Sequence, residues 1–271
     1  VFFIISESIG HKELVEWGWR IPFLLSFVLV LVGLWMRMTL HESHVYREAE
    51  AQGKTQGAPV KEVFAKHWRP ILQGTFIMVA TYVLFYIMTA FVQVYSKTPA
   101  ELSDFGHPKG LGIPANTFTG FLLIAAVVFG ISTSISGLHA DKIGRRLYLI
   151  LVTAAMLVFG LAMPLFLTNG TPASVLAFLL IGMVLMGMTF GPMAALLPEL
   201  FPTEVRYSGA SLAYNLSAIV GATIATLVAI KLNEHYGILG VGLYLAANCA
   251  LTLLALFSIH ETKDVDLTMT K

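Results

Sequence analysis

The sequence predicts an all-α membrane protein, and three observations carry that prediction. Hydrophobic residues make up 56% of the chain and charged residues 12%, against roughly 25% charged in a typical soluble domain. Mean hydropathy is +0.77, more apolar surface than a water-soluble fold of this size can hide. The apolar residues also gather into seven runs, 21–37, 71–93, 116–138, 147–167, 173–197, 208–230 and 237–259. Each is near the ~20 residues that cross ~30 Å of hydrocarbon as a helix.

Composition also excludes function classes. A net charge of +1 without a basic stripe gives no footprint for nucleic acid. Cys249 is the single cysteine, so neither an intrachain disulfide nor a cysteine metal site is available. The apolar scrap at residues 1–5 is too short to span a bilayer and is expected to be the tail of a longer helix. Residues 41–70 are polar and carry Gly53, Gly57 and Pro59, which marks a loop. Residues 60–69 read in two ways. One is a short amphipathic surface helix with Val60, Val63, Phe64 and His67 toward lipid and Lys61, Glu62 and Lys66 in water. The other is a solvated linker. Twelve of the 17 Lys and Arg residues fall on one side of the seven runs, which predicts that loop 41–70, loop 139–146 and the C-terminus are cytoplasmic. Leu40-His41-Glu42-Ser43 and Ile259-His260-Glu261-Thr262 close the first and last runs with similar text, as a parallel repeat of six-helix halves would.

The sharpest motif is Gly137-Leu138-His139-Ala140-Asp141-Lys142-Ile143-Gly144-Arg145-Arg146. It is expected to fill a tight loop, with Gly137 and Gly144 allowing the turn. Asp141 is suited to accept from helix N-terminal amides or to pair with an arginine. The spacing resembles the loop signature of the major facilitator superfamily, with Lys142 where an arginine is usual. Two further segments resemble its metabolite:proton symporter family, Gly18-Trp19-Arg20-Ile21-Pro22-Phe23 and the stretch from Pro198-Glu199-Leu200-Phe201-Pro202 through Arg206 to Ser211. His260-Glu261-Thr262 is similar to a common facilitator ending.

The resemblance implies a major facilitator fold, with this chain as the C-terminal six-helix bundle plus helix 6. Residues 1–40 would hold the end of helix 5, an outer loop and helix 6. Residues 41–70 would be the central cytoplasmic loop, 71–262 helices 7–12, and 263–271 a cytoplasmic tail. It further implies that Asp141, Arg145 and Arg146 brace the cytoplasmic side as a gate. Gly137 and Gly144 in the same motif, and Glu199 and Arg206 at the same end, join the gating candidates. Lysine keeps the charge of position 142 but not the bidentate fork.

Polar residues inside a span usually face a wet cavity or another helix. Thr75, Tyr82, Tyr86, Thr89 and Gln93 share one helical face of the second run. They form a candidate substrate face, or else interhelical glue. In the run 208–230, Ser208, Ser211, Asn215, Ala218, Ala222 and Ala225 make a stripe of mostly small residues. Asn215, as a buried amide, and nearby Tyr214 are candidate ligand or gate residues. Gly191-Pro192 should kink the run 173–197, as a hinge or as a static bend, and Thr189 beside it is a further substrate candidate. The outer segment 94–115 reads as a passive connection or a lid.

The expected function is secondary transport of a small polar metabolite, an organic acid or a betaine-like compound. It would run by alternating access across the inner membrane with proton symport, and the alternative is an uncoupled facilitator. A membrane-embedded enzyme would need a catalytic constellation, and the eight histidines lie in loops or at helix ends without ligand spacing. No cofactor beyond a coupling proton is expected. The middle of the last six runs carries no Asp, Glu, Lys or Arg, which assigns proton carriage to an N-terminal half outside this chain. The expected partners are that half, the substrate and the bilayer.

Overall fold

In the computed structural model, residues 5, 8–39, 60–168, 170–203 and 205–261 are described. The expected loop at 41–59, the Leu40–Ser43 echo and the tail from residue 262 lie outside them. The chain forms two compact units, residues 1–55 and 56–271. In the first, a helical turn at His11–Glu13 and a π-turn at Leu14–Gly18 lead into α1, Arg20–Thr39. Helix α1 buries none of its residues, as a bilayer-facing helix would.

The second unit is a helical bundle. Helix α2, Val60–Tyr86, passes through a π-turn at Ile87–Phe91 into α3, Val92–Lys97. After the connection 98–114 come α4, Ala115–Ile143, α5, Arg145–Leu161, and α6, Met163–Leu167. Then follow α7, Pro172–Glu199, and α8, Arg206–Ala218. A π-turn at Ile219–Thr223 leads to α9, Ala225–Ser258.

Among the described residues, five stretches are long and apolar enough to cross a membrane, where the sequence predicts seven runs. Two local features account for the difference. Helix α5 is 17 residues long, and the run 147–167 divides at Ala162 where α6 begins with Pro164 in its first turn. The stretch Arg206–Ser258 counts as one helix of 53 residues, about 80 Å at 1.5 Å per residue. It reverses at Gly237, whose φ of +67° and ψ of −168° break the helix. The contacts with α2 show the reversal. Ala213 lies against Gly74 and Ser258 accepts from Gln73, while Gly221 lies against Val79 and Thr252 bonds Phe76 and Ala80.

Helix α2 is interrupted at His67 (φ −122°, ψ 28°), three residues before Pro70. Proline crowds the carbonyl four residues back, and the residue before it disfavours the α region. The segment from residue 60 is therefore a short helix, not a linker. Val63, expected toward lipid, is fully buried in a cluster with Phe201, Val205, Leu196 and Leu256.

The bundle has two main cores. One surrounds Phe91, Tyr95, Phe118, Phe159 and Phe178, with the last two rings stacked at 4.8 Å. The other is the cluster around Phe201 and Leu256. Small residues set the closest helix pairs, as is usual in membranes. Gly160 and Gly242 bring α5 and α9 together, since a Cβ on Gly160 would lie 3.0 Å from the Gly242 carbonyl.

Candidate substrate face and gate

Between Val79 and Gln93, the positions of α2–α3 that are not buried are Tyr82, Phe85, Tyr86, Thr89, Ala90 and Gln93. They form one stripe, and it carries three of the predicted substrate residues together with Gln93. By contrast α4 shows Leu123, Ile124, Val127, Ile131 and Ile135 at 48–63% exposure, a mainly aliphatic face suited to lipid. Thr75 leaves the stripe: it is 3% exposed and donates to the Ala213 carbonyl at 3.5 Å. The π-turn at 87–91 falls inside the stripe, which continues past it to Gln93. Gln93 bonds within its own helix, donating to Thr89 O at 2.9 Å and accepting from Lys97 Nζ at 2.8 Å. Thr89 donates back to Phe85 O.

Helix α8 presents Tyr207, Ser211, Tyr214 and Asn215 on its exposed side. Asn215 is thus not the buried amide expected; its Nδ2 donates to Ser211 O at 2.7 Å. The packed face is Gly209, Ala213 and Ser217, on the side of the helix opposite Ser211 and Asn215. The stripe returns to the interior only at Ala222 and Ala225, because the π-turn at 219–223 shifts the register. The faces of α2 and α8 meet at Tyr82 and Tyr214, whose rings lie edge to face with centroids 5.6 Å apart. The Tyr82 hydroxyl is buried, and the polar side chain it interacts with is that of Tyr214.

Thr189 is 1% exposed and fully engaged: it accepts from Thr81 Oγ1 at 3.1 Å and donates to Met186 O. In this conformation it links α2 to α7 and offers nothing to a ligand. The kink expected at Gly191-Pro192 does not interrupt α7, which stays one helix through Pro192 and Pro198. Gly191 and Gly187 instead admit α4. Side chains there would overlap Ser136 and Ser132, and Ser136 Oγ donates to Gly187 O at 3.1 Å. The π-turns at 87–91 and 219–223 contain no proline to signal them.

The Gly137–Arg146 motif is not a loop but the end of α4, a single turning residue and the start of α5. Gly137 is inside the helix. Gly144, at φ +106°, makes the whole connection, a torsion that side chains rarely adopt. Arg145 is the hub. Its guanidinium contacts Asp141 at 3.1 Å and forms an ion pair with Glu199 of α7. Arg145 and Glu199 are 16% and 12% exposed, whereas Asp141 is 60% exposed. Asp141 pairs with arginine and leaves the α5 amides to another carboxylate. Glu261 Oε1 accepts from Arg145 N at 3.0 Å and Oε2 from Arg146 N at 3.1 Å. The Arg146 side chain donates to Leu256 O and Phe257 O at the end of α9, at 2.9 and 3.3 Å. Arg206 Nε reaches Phe201 O at 3.4 Å and so ties down the α7–α8 link. The role of Glu261 is not predicted from the sequence; its similarity to a family ending was the available signal.

At the opposite end, residues 98–114 fold as a small strap. Ser103 N donates to His107 O, and Lys109 N to Glu101 O, around a bridge between Leu102 and Pro108. The strap sits on the Gly237 reversal. Ser103 Oγ donates to Glu234 O, Asn233 Nδ2 donates to Pro108 O, and Phe105 stacks on His235 at 4.3 Å.

Among the described residues no cluster of three or more His, Cys, Asp or Glu is placed to hold a metal. The comparisons agree with a transport fold. The model of the Major Facilitator Superfamily matches residues 12–226. A Haemophilus influenzae protein named for metabolite transport is 67% identical over 98% of this chain and 61% of its own length. The Escherichia coli inner membrane metabolite transport protein YhjE is 46% identical over 97% of this chain and 58% of its own. The citrate-proton symporter of Salmonella typhi is 28% identical over 96% of this chain and 58% of its own. The chain therefore spans about three fifths of the length of these relatives. No solved structure matches it. Match length and identity agree with the helical bundle and its charged α4–α5 turn: this chain belongs to the Major Facilitator Superfamily and is a transporter-family membrane protein rather than an enzyme.

Proposed function

We propose that this chain forms the C-terminal half of a proton-linked secondary transporter. It would move a small polar metabolite, an organic acid or a betaine-like compound, across the inner membrane by alternating access. The observation that carries this is the polar stripe Tyr82, Tyr86, Thr89 and Gln93, interleaved with Phe85 and Ala90 as the uncovered positions of residues 79–93, and joined to the exposed polar side of α8 at Tyr214. A packed helix leaves such a face uncovered when it lines a cavity. A second half of the transporter completes that cavity. Tyr82, Tyr86, Thr89, Gln93, Tyr214 and Asn215 line it here, and Thr189 joins when α2 and α7 part. The charged turn at 141–146, with Glu199 and Arg206, closes the cytoplasmic side, and α7 around Gly191 and Pro192 moves as that side opens. The names of the E. coli and Salmonella relatives support the inner membrane and the proton.

One observation favours a second reading, an uncoupled facilitator. The middle of the bundle helices has no acidic or basic residue, so a proton carrier has to come from outside this chain.

The test is uptake of labelled organic acids and betaines into proteoliposomes holding the full-length protein. Accumulation of one compound under an inward proton gradient is expected. Equilibration indifferent to the gradient would favour the facilitator, and absence of uptake across the panel would overturn the transporter reading. Tyr82→Phe should raise KM about tenfold with little change in maximal rate, as loss of one buried hydrogen bond to substrate would.

A further inference from the structure

We infer that Glu261 is a positioning residue of the cytoplasmic gate: it holds Arg145 for Glu199 by capping α5, so that α5 and α9 move as one piece and the gate opens by the departure of α7. The inference rests on the transporter reading above.

The geometry is reciprocal. Glu261 follows α9 and its carboxylate accepts from the amides of Arg145 and Arg146, the first residues of α5. A carboxylate at a helix N-terminus satisfies amides that have no partner within the helix and complements the helix dipole. Arg146 returns the contact, donating to the carbonyls of Leu256 and Phe257 at the end of α9, which likewise lack partners in their own helix. Each helix end thus caps the other across 115 residues of sequence. Farther along the same pair, Gly160 and Gly242 bring the two backbones into contact. Helices α5 and α9 are therefore pinned at two separated places.

Glu261 also acts on the gate residue itself. The amide it binds belongs to Arg145, whose guanidinium holds Glu199. Gly144 admits it, since a Cβ there would lie 2.8 Å from Glu261 Oε2. Without the carboxylate, the first turn of α5 loses its anchor and the guanidinium loses its aim. The Arg145–Glu199 pair is a side-chain contact between the α5–α9 piece and α7. It can part and re-form without breaking a helix cap.

The experiment uses the full-length protein with Cys249 and any cysteine outside this segment replaced, and Ser211→Cys as reporter. Labelling by an impermeant maleimide is compared from the two faces of the membrane. Glu261→Ala should raise the cytoplasmic labelling rate about fivefold, the population change that a lost helix cap produces, and lower labelling from the other face. Glu261→Gln, which keeps an acceptor oxygen, should fall between. Glu199→Gln should shift labelling in the same direction, and Glu261→Ala added to it should change nothing more, because both act through Arg145. Additive effects, or wild-type labelling in Glu261→Ala, would overturn the inference. Failure of substrate uptake with the labelling pattern intact would instead count against the transporter reading alone.

Discussion

The two ends of the bundle are held together by different chemistry. At the charged end, one glycine connects α4 to α5, and the links to other helices run through Arg145, Arg146, Glu199 and Glu261. At the strap end, residues 98–114 are joined by backbone hydrogen bonds to Tyr95, Ser96 and Thr98 and fastened to the Gly237 reversal by Ser103, Asn233 and a ring stack. Side-chain ion pairs exchange partners without disturbing secondary structure, whereas backbone bonds and stacked rings come apart only when the segment unfolds locally. The contrast locates the switchable contacts of this half at the charged end and its permanent ones at the strap.

Arg145→Ala should strain the contrast most. It leaves Glu199 buried without its cation, which costs about 3–5 kcal/mol for a buried pair. Uptake should fall to background and the melting temperature should drop clearly in detergent; retention of both would mean that the charged end is not held by this hub. Asn233→Ala and Phe105→Ala, at the strap, should each cost about 1 kcal/mol and leave initial uptake within about twofold of the parent. A larger loss of uptake than of thermal stability would make the strap a moving part. Asp141→Asn should have the smallest thermal effect, since an exposed pair contributes about 0–1 kcal/mol. If its uptake nevertheless collapses, Asp141 acts in the passage between states rather than in the resting contact.

Much of this was legible because bilayer physics writes long apolar runs, and the places of Asp141, Arg145 and Glu199 followed from motif and side. What escaped had no local signature. Glu261 finds the α5 amides across 115 residues, and no periodicity announces that pairing. The π-turns at 87–91 and 219–223 each add a residue silently. The second brings the small-residue stripe inward again at Ala222 and Ala225, after α8 itself has packed on Gly209, Ala213 and Ser217. Gly191-Pro192 signals a bend, and Gly191 also serves the α4–α7 contact, because Ser136 packs where a side chain at 191 would go. Gly137 was read as a turn residue, yet the one-residue turn at Gly144 absorbs the whole reversal.

The break at Gly237 has a consequence for how the protein is made. The crossings on its two sides are joined by a single non-helical residue, which leaves little room for one to enter lipid far ahead of the other. They are expected to insert as a helical hairpin, 53 residues taken up together.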